Sequence, residues 1–131
     1  MKTPIIFPDL ELWATAYLRT QLAAYGYPSV FVSNRREAQA TAVWVRRDGG
    51  PQLDQVREAP RLGVNVFAPS EQAVINLART VSALLVAAPD GAPVLKVTET
   101  LGPSPIADAT GPRRFMSFEV LVRGAELAPT P

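Results

Sequence analysis

Apolar residues recur every three or four positions in two stretches of the chain, which is the spacing of one face of an α-helix. The first stretch follows Asp9, a suitable N-cap, and precedes Gly26 and Pro28, so a helix is predicted over residues 9–25. The second follows Ser70 and stops before the turn sequence Pro89-Asp90-Gly91. Its apolar positions are Val74, Leu77, Ala78, Val81, Leu84, Leu85 and Ala88.

Five other segments are rich in β-branched and aromatic residues or alternate between apolar and polar positions, which is typical of strands. They span residues 29–33, 40–47, 55–68, 94–101 and 113–123. Pro60 predicts an edge position or a bend in the third. Leu95 and Val97 are expected on one face of the fourth. One face of the fifth is expected to carry Met116, Phe118, Val120 and Val122.

The connections complete the prediction of the fold. Asp48-Gly49-Gly50-Pro51 predicts a hairpin turn, and the long, proline-rich stretch 102–112 predicts a projecting loop that could carry contacts. The order helix, three strands, helix, two strands predicts an α+β fold, with two helices packed on a mostly antiparallel sheet of about five strands. Residues 1–124 are expected to form one domain and residues 125–131 a flexible C-terminal tail.

Composition narrows the classes of function. The 131 residues contain no cysteine and no histidine, and the formal net charge is +1. The usual zinc ligands, thiolate nucleophiles and neutral-pH acid–base groups are therefore missing, and no strong basic excess favours nucleic acid. We expect no enzyme, no cofactor and no metal site. Neither a signal peptide nor a membrane segment is recognisable, which favours folding in the cytoplasm of the producing cell.

The remaining candidates for chemistry have simpler interpretations. Asp9 and Glu11 suit the start of a helix, and Asp48 and Asp54 flank a turn, so capping and solvation are favoured over catalysis. The Asp48-Gly49-Gly50 sequence lacks the spacing, lysine and following helix of a phosphate-binding loop. Ser82 and Ser117 have no histidine to activate them.

Three arginine doublets are the most suggestive charged features, because each lies at a strand end or in a loop. They are Arg35 and Arg36, Arg46 and Arg47, and Arg113 and Arg114. They could contact a neighbouring subunit or nucleic acid, or they could deter unwanted sheet pairing and solvate the surface, and both interpretations stay open. For Trp13 and Trp44, core packing is favoured over an exposed contact.

Several segments together resemble the tail terminator proteins, also called minor tail or tail completion proteins, of siphophages that infect actinobacteria. They are Phe7-Pro8-Asp9 before a helix with Tyr17-Leu18-Arg19, the strand end Val45-Arg46-Arg47-Asp48-Gly49-Gly50, the strand Leu62-Gly63-Val64-Asn65-Val66-Phe67-Ala68 running into Ser70-Glu71-Gln72-Ala73, the helix residues Leu77-Ala78-Arg79 and Leu84-Leu85, and Pro112-Arg113-Arg114-Phe115 entering Phe118-Glu119-Val120-Leu121-Val122-Arg123-Gly124. The similarity spans nearly the whole chain.

This resemblance implies a structural virion protein made in the host cytoplasm. Its copies would form a six-fold ring at the head-proximal end of the tail, stop polymerisation of the tail tube protein and dock to the head–tail connector. DNA would pass through the ring without sequence-specific binding, and no membrane is involved. The arginine doublets, with Arg46 and Arg47 first, and the 102–112 loop are then the expected subunit or tube contacts. Alternatives are a neck or head-completion protein and a nucleic-acid-binding protein.

Overall fold

The chain is an α+β protein in the computed structural model, which describes residues 3–89, 91 and 93–129. Two helices pack on a mixed sheet, so the predicted fold class is confirmed. Within the described residues the main sheet has six strands rather than about five. The elements are β1 (Ile5–Ile6), α1 (Leu10–Ala24), β2 (Phe31–Ser33), β3 (Ala42–Arg47), β4 (Arg57–Glu58), β5 (Arg61–Phe67), α2 (Glu71–Val86), β6 (Val94–Pro105), β7 (Arg113–Arg123) and β8 (Ala125–Glu126).

Both helices begin at the residues that the sequence indicates. The Asp9 carboxylate accepts a hydrogen bond from the Leu12 N–H at 3.0 Å, and the Ser70 hydroxyl accepts one from the Ala73 N–H at 3.2 Å. Each bond satisfies an N–H group that has no partner inside its helix. Helix α1 ends before Gly26, whose φ of +93° lies in the left-handed region that glycine tolerates. Both predicted caps are confirmed.

The main sheet has the order β2, β3, β5, β7, with β6 on the other side of β7. Strands β2 and β3 are parallel, and the other pairs are antiparallel. β4 continues the line of β5, since both pair with β7 in the same register and are separated by Ala59-Pro60. Pro60, for which an edge position or a bend was predicted, lies at this interruption.

The core fills the space between the helices and one face of the sheet. Tyr17 of α1 donates a hydrogen bond to the Leu84 carbonyl of α2 at 2.6 Å, which joins the helices on that face. The alternation predicted for β7 is confirmed, because its four apolar positions are fully buried. Fully buried partners from the other elements include Leu18, Leu22, Val43, Val45, Leu62, Val64, Val66, Val74, Leu77 and Leu85.

The structure corrects the prediction for β6. A register shift between Val94 and Lys96 changes which side chains point inward, so Val94 and Val97 are buried and Leu95 does not share a face with Val97. The strand also continues to Pro105, which pairs opposite Arg114. The first part of the predicted 102–112 loop is therefore strand, and the loop proper covers residues 106–112.

The turn predicted at residues 48–51 is also wrong. That segment runs beside residues 59–61, with hydrogen bonds from the Asp48 N–H to the Arg61 carbonyl (2.8 Å) and from the Arg61 N–H to the Gly49 carbonyl (2.8 Å). The chain reverses later, where the Asp54 carboxylate accepts hydrogen bonds from the Val56 and Arg57 N–H groups. Asp54 organises this turn locally, as Asp side chains commonly do.

The first and last described strands are paired with each other. β8 is antiparallel to β1, and the Leu127 N–H donates to the Pro4 carbonyl at 2.9 Å, so the tail predicted to be flexible from residue 125 begins with a strand. Asp90 of the predicted Pro89-Asp90-Gly91 turn and residues 130–131 of the tail lie outside the described residues. Neither described helix is long and apolar enough to cross a membrane.

Candidate functional site

The face of the main sheet that points away from the helices, which we call the open face, carries aromatic and arginine side chains. Residues directly opposite each other in antiparallel strands share a face. The pairings Trp44–Asn65–Phe115 form a central row across β3, β5 and β7. The flanking rows are Ala42–Phe67–Arg113 and Arg46–Gly63–Ser117. Because the alternate residues of these strands fill the core, all these residues lie on the open face.

Arg46 covers two aromatic rings of the central row. Its guanidinium carbon lies 5.2 Å from the ring centre of Trp44 and 5.7 Å from that of Phe115, within the range of cation–π attraction. Its Nε donates to the Asp48 carboxylate at 2.8 Å. A side chain at Gly63 would collide with that carboxylate, so the glycine leaves the space that Asp48 occupies.

At the other end of the open face, two arginines converge on one acid. The Asp108 carboxylate lies 2.7 Å from Arg36 Nη2 and 3.2 Å from Arg113 Nη1, and it is nearly buried. The guanidinium carbons of these arginines lie 5.0 Å and 5.4 Å from the ring centre of Phe67. Hydrogen bonds from the hydroxyl and the backbone N–H of Thr110, together with the charge of Arg36, lower the pKa of Asp108 to about 2, against the opposing effect of burial.

The connection between β2 and β3 explains how Arg36 reaches this place. Since these strands are parallel, residues 34–41 must return to the end of the sheet at which β3 begins. Together with residues 106–112 they border a cleft of about 630 Å³, lined by residues including Phe67, Pro69 and Pro112. The open face thus continues into a concave end formed by two loops.

Asn65 is the buried polar residue at the centre of the open face. Its side-chain oxygen accepts hydrogen bonds from Nε (3.1 Å) and Nη2 of Arg113. Its amide nitrogen is buried and has no acceptor among the described residues. A buried donor without an acceptor lowers the stability of the folded chain by about 1–3 kcal/mol, and the Asn65 amide nitrogen carries this cost.

Successive residues of a strand point to opposite faces, and this divides the arginine doublets. Arg46 and Arg113 lie on the open face, whereas Arg47 and Arg114 lie on the helix side. There Arg47 pairs with Glu58 at 3.0 Å, and Arg114 pairs with Glu71 at 2.9 Å. Arg35 is in the loop after β2, with its side chain 80% exposed and 3.7 Å from Glu37. Of the six candidate arginines, three therefore lie on the open face, and the structure brings two of them together: Arg36 and Arg113 meet at one end, while Arg46 lies at the other.

The other candidates occupy separate places. Trp13 packs against the core from α1, as expected, but Trp44 is half-buried on the open face, so the core position favoured for Trp44 is wrong. The Ser82 hydroxyl donates to the Glu99 carboxylate, and Ser117 faces the open side beside Gly63. Among the described residues, no group of three acidic side chains is arranged to hold a metal ion.

Asn65, Phe67, Asp108 and Phe115 belong to this surface and were not singled out from the sequence. Strand alternation places Asn65, Phe67 and Phe115 opposite the apolar core positions, so a sequence signal existed for the face on which these three lie. No sequence signal identifies Asp108, since its position depends on the path of two loops. No family model matches this chain, and no curated protein matches it.

Proposed function

We propose that this chain is a structural virion protein, the tail terminator of a bacteriophage, and that its copies form a six-fold ring at the head-proximal end of the tail. The ring stops tube polymerisation and offers a docking surface to the head–tail connector, and DNA passes through its lumen without sequence-specific contacts. The similarity to the tail terminators described above motivates this proposal. The open face is the observation on the molecule that supports it.

The open face has the chemistry of a protein contact surface. Arginine and aromatic residues are enriched where protein interfaces lose most of their water. Here the guanidinium groups of Arg36, Arg46 and Arg113 already lie against rings and carboxylates. Binding through side chains that are already ordered loses less conformational entropy, which favours assembly.

The same geometry weighs against the nucleic-acid alternative. Phosphate binding needs cationic groups free to displace counterions. Asp48 and Asp108 instead pair with the three arginines of the open face. A neck or head-completion protein of the same particle would have the same surface chemistry, so position in the virion must separate it from a terminator. Electron microscopy of virions labelled on this chain distinguishes the top of the tube from the connector.

Arg46→Ala tests the contact role of the open face. We expect it to reduce assembly onto tails at least tenfold, because it removes the guanidinium group that lies over Trp44 and Phe115. The free energy of unfolding should fall by about 1–2 kcal/mol, since two cation–π contacts and the pair with Asp48 are lost, and the chain should remain folded. Arg46 is preferable to the Arg46 and Arg47 double variant, since removing Arg47 would leave the nearly buried Glu58 without its partner.

The readouts are the native mass of the purified chain and its copy number on tails. Arg79→Ala is the matched control, because Arg79 is an exposed arginine of α2, on the helix side of the sheet. Assembly of Arg46→Ala at the wild-type level would remove this residue from the interface. A virion that lacks the chain at the head-proximal end of the tail would contradict the proposed function itself.

A further inference from the structure

The cleft between the two loops at the end of the open face, which we call the loop cleft, contains an arginine with unused donors. Arg113 uses all three of its side-chain nitrogens, on Asn65 and Asp108, and its side chain is 15% exposed. Arg36 uses only Nη2, on Asp108 and Thr110, and its side chain is 42% exposed. Among the described residues, nothing accepts a hydrogen bond from Nε or Nη1 of Arg36. Arg36 can therefore bind a further acceptor, whereas Arg113 cannot.

The loop cleft also carries one positive charge that no described acid balances. Asp108 supplies one negative charge to two guanidinium groups, and each has a nitrogen within 3.2 Å of the same oxygen, Oδ2. Of the other charged groups at this end of the molecule, Arg35 lies 3.7 Å from Glu37. Arg114 is paired with Glu71 at 2.9 Å. The excess charge lies on the more exposed of the two guanidinium groups, and a single carboxylate would complement it.

The rest of the lining gives the loop cleft an apolar wall. The apolar lining residues include Ala38, Ala40, Phe67, Ala68, Pro69 and Pro112. Alanine and proline side chains have almost no rotamer freedom to lose when a ligand covers them, so contact with them costs little entropy. The cleft volume of about 630 Å³ lies in the range of pockets that bury most of a ligand's surface. Such a wall suits an apolar side chain next to the carboxylate.

We infer that the loop cleft binds an extended segment of a partner protein that carries an aspartate or glutamate next to an apolar side chain. The carboxylate accepts from an unused donor of Arg36, while Nη2 stays on Asp108, and the apolar side chain packs on the alanines and prolines. This inference rests on the proposed function, because the cleft continues the open face, and it adds the chemistry that the partner supplies.

The surroundings of Arg36 favour a carboxylate of a larger chain over other anions. Glu37 lines the cleft and Asp108 binds Arg36, so both would repel a phosphate group, whose charge approaches −2 at neutral pH. A small free acid would reach Arg36 but would leave the wall of alanines and prolines uncovered. The charge and the wall are used together only when the carboxylate belongs to a protein segment.

Two acetylated and amidated peptides test the inference by NMR titration of the purified chain. Their sequences are Ser-Leu-Glu-Leu-Ser and Ser-Leu-Gln-Leu-Ser, so they differ in one charge. The glutamate peptide should shift the backbone N–H signals of Ala38, Thr110 and Gly111. It should also bind about tenfold more tightly than the glutamine peptide, because hydrogen bonds to charged groups are the stronger ones. Equal affinities, or no shift at these residues with either peptide, would overturn the inference.

The Arg36→Gln variant completes a double-mutant cycle with these peptides. It should bind the glutamate peptide about tenfold more weakly than wild type and the glutamine peptide equally well. The variant should fold, since Asp108 keeps its hydrogen bonds from Arg113 and Thr110, and melting curves check this. Arg79→Gln is the matched control, because Arg79 is an exposed arginine of α2 outside the cleft, and it should behave like wild type. A glutamate preference that Arg36→Gln retains would contradict the assigned contact.

Two small anions separate the possible sources of the negative charge. Sodium acetate at the concentration of the peptides should leave the three N–H signals unshifted, because it lacks the apolar part. Inorganic phosphate should leave them unshifted as well. Acetate shifts equal to those of the glutamate peptide would overturn binding of a protein segment, and saturable phosphate shifts would overturn the carboxylate preference.

Failure of the inference and failure of the proposed function give different results. The peptide titrations use the isolated chain and do not depend on a ring. Equal affinities of the two peptides, together with wild-type chains at the head-proximal end of tails, would overturn only the inference. Virions that lack the chain at that place would overturn the proposed function, whichever peptide the isolated chain prefers.

Discussion

At the scale of single residues, the partners of the charged groups determine what the arginine-rich sequence does. Asp108 illustrates this, because a loop acid that could have been solvated instead joins Arg36 to Arg113 at the end of the open face. Thr110 supports it with two hydrogen bonds. Two loops distant in sequence are thus fixed to one strand by a single carboxylate, which must be ionised to accept all these bonds.

The lowered pKa of Asp108 predicts a dependence of stability on pH. The pKa is about 2 in the folded chain against an ordinary value of 3.8, so the folded state gains stability from this group above pH 3.8 and loses it as pH falls toward about 2. The pKa of Asp54, lowered by its hydrogen bonds from the Val56 N–H and the Arg57 side chain, acts in the same direction. We expect the Asp108→Asn variant to have a lower melting temperature than wild type at neutral pH. On acidification its melting temperature should fall less than that of wild type. Melting curves of both chains from pH 7 to pH 2 check this, and an equal fall in melting temperature for both chains at acid pH would contradict it.

At the scale of elements, the arm formed by residues 48–60 shows how one glycine permits a close approach of two backbone segments. The Ala59 N–H donates to the Pro51 carbonyl at 2.9 Å, and Gln52 pairs opposite Glu58. Gly50 lies between Pro51 and Gly49, whose carbonyl accepts from the Arg61 N–H. Its φ is +114°, and any side chain there would collide with the Ala59 carbonyl oxygen and with Pro60. Gly49, at φ +84°, has open space beside it.

Alanine substitutions in this arm separate backbone conformation from steric collision. Gly49→Ala should cost about 1–2 kcal/mol, since only the left-handed conformation opposes it. Gly50→Ala should cost about 2–4 kcal/mol, because the neighbouring backbone must also move. Chemical denaturation measures both free energies of unfolding. Equal losses for the two variants would show that the arm accommodates a side chain at Gly50.

At the scale of the whole molecule, one sheet is covered by helices on one face and left open on the other. The covered face holds the core, and the open face holds Trp44, Phe115 and the paired arginines. Exposed apolar side chains are also found on α1 and along β6. A chain of this size with several such surfaces is suited to repeated contacts with other protein chains.

This arrangement predicts weak binding to DNA. The net charge is +1, and the arginines of the open face are paired with acids, so few phosphates can be neutralised. We expect no retardation of duplex DNA at about 150 mM salt in a gel shift assay. Tight binding that weakens steeply with added salt would favour the nucleic-acid alternative over the ring.

The sequence by itself determined the local structure. The caps Asp9 and Ser70, the end of α1 before Gly26 and the buried alternation of β7 follow from short-range rules, because a helix or strand face is defined by neighbours a few positions away. The fold class followed from the order of these elements. The division of Arg46 from Arg47 could also have been read from strand alternation.

Only the tertiary structure decided which surfaces these elements share. The parallel pairing of β2 with β3, the register shift in β6 and the meeting of Arg36, Arg113 and Asp108 depend on strands and loops far apart in the chain. Hydrophobic periodicity specifies which side of an element is buried but not which element lies beside it. The open face is a product of that lateral arrangement, so it became visible only once the strands were set in order.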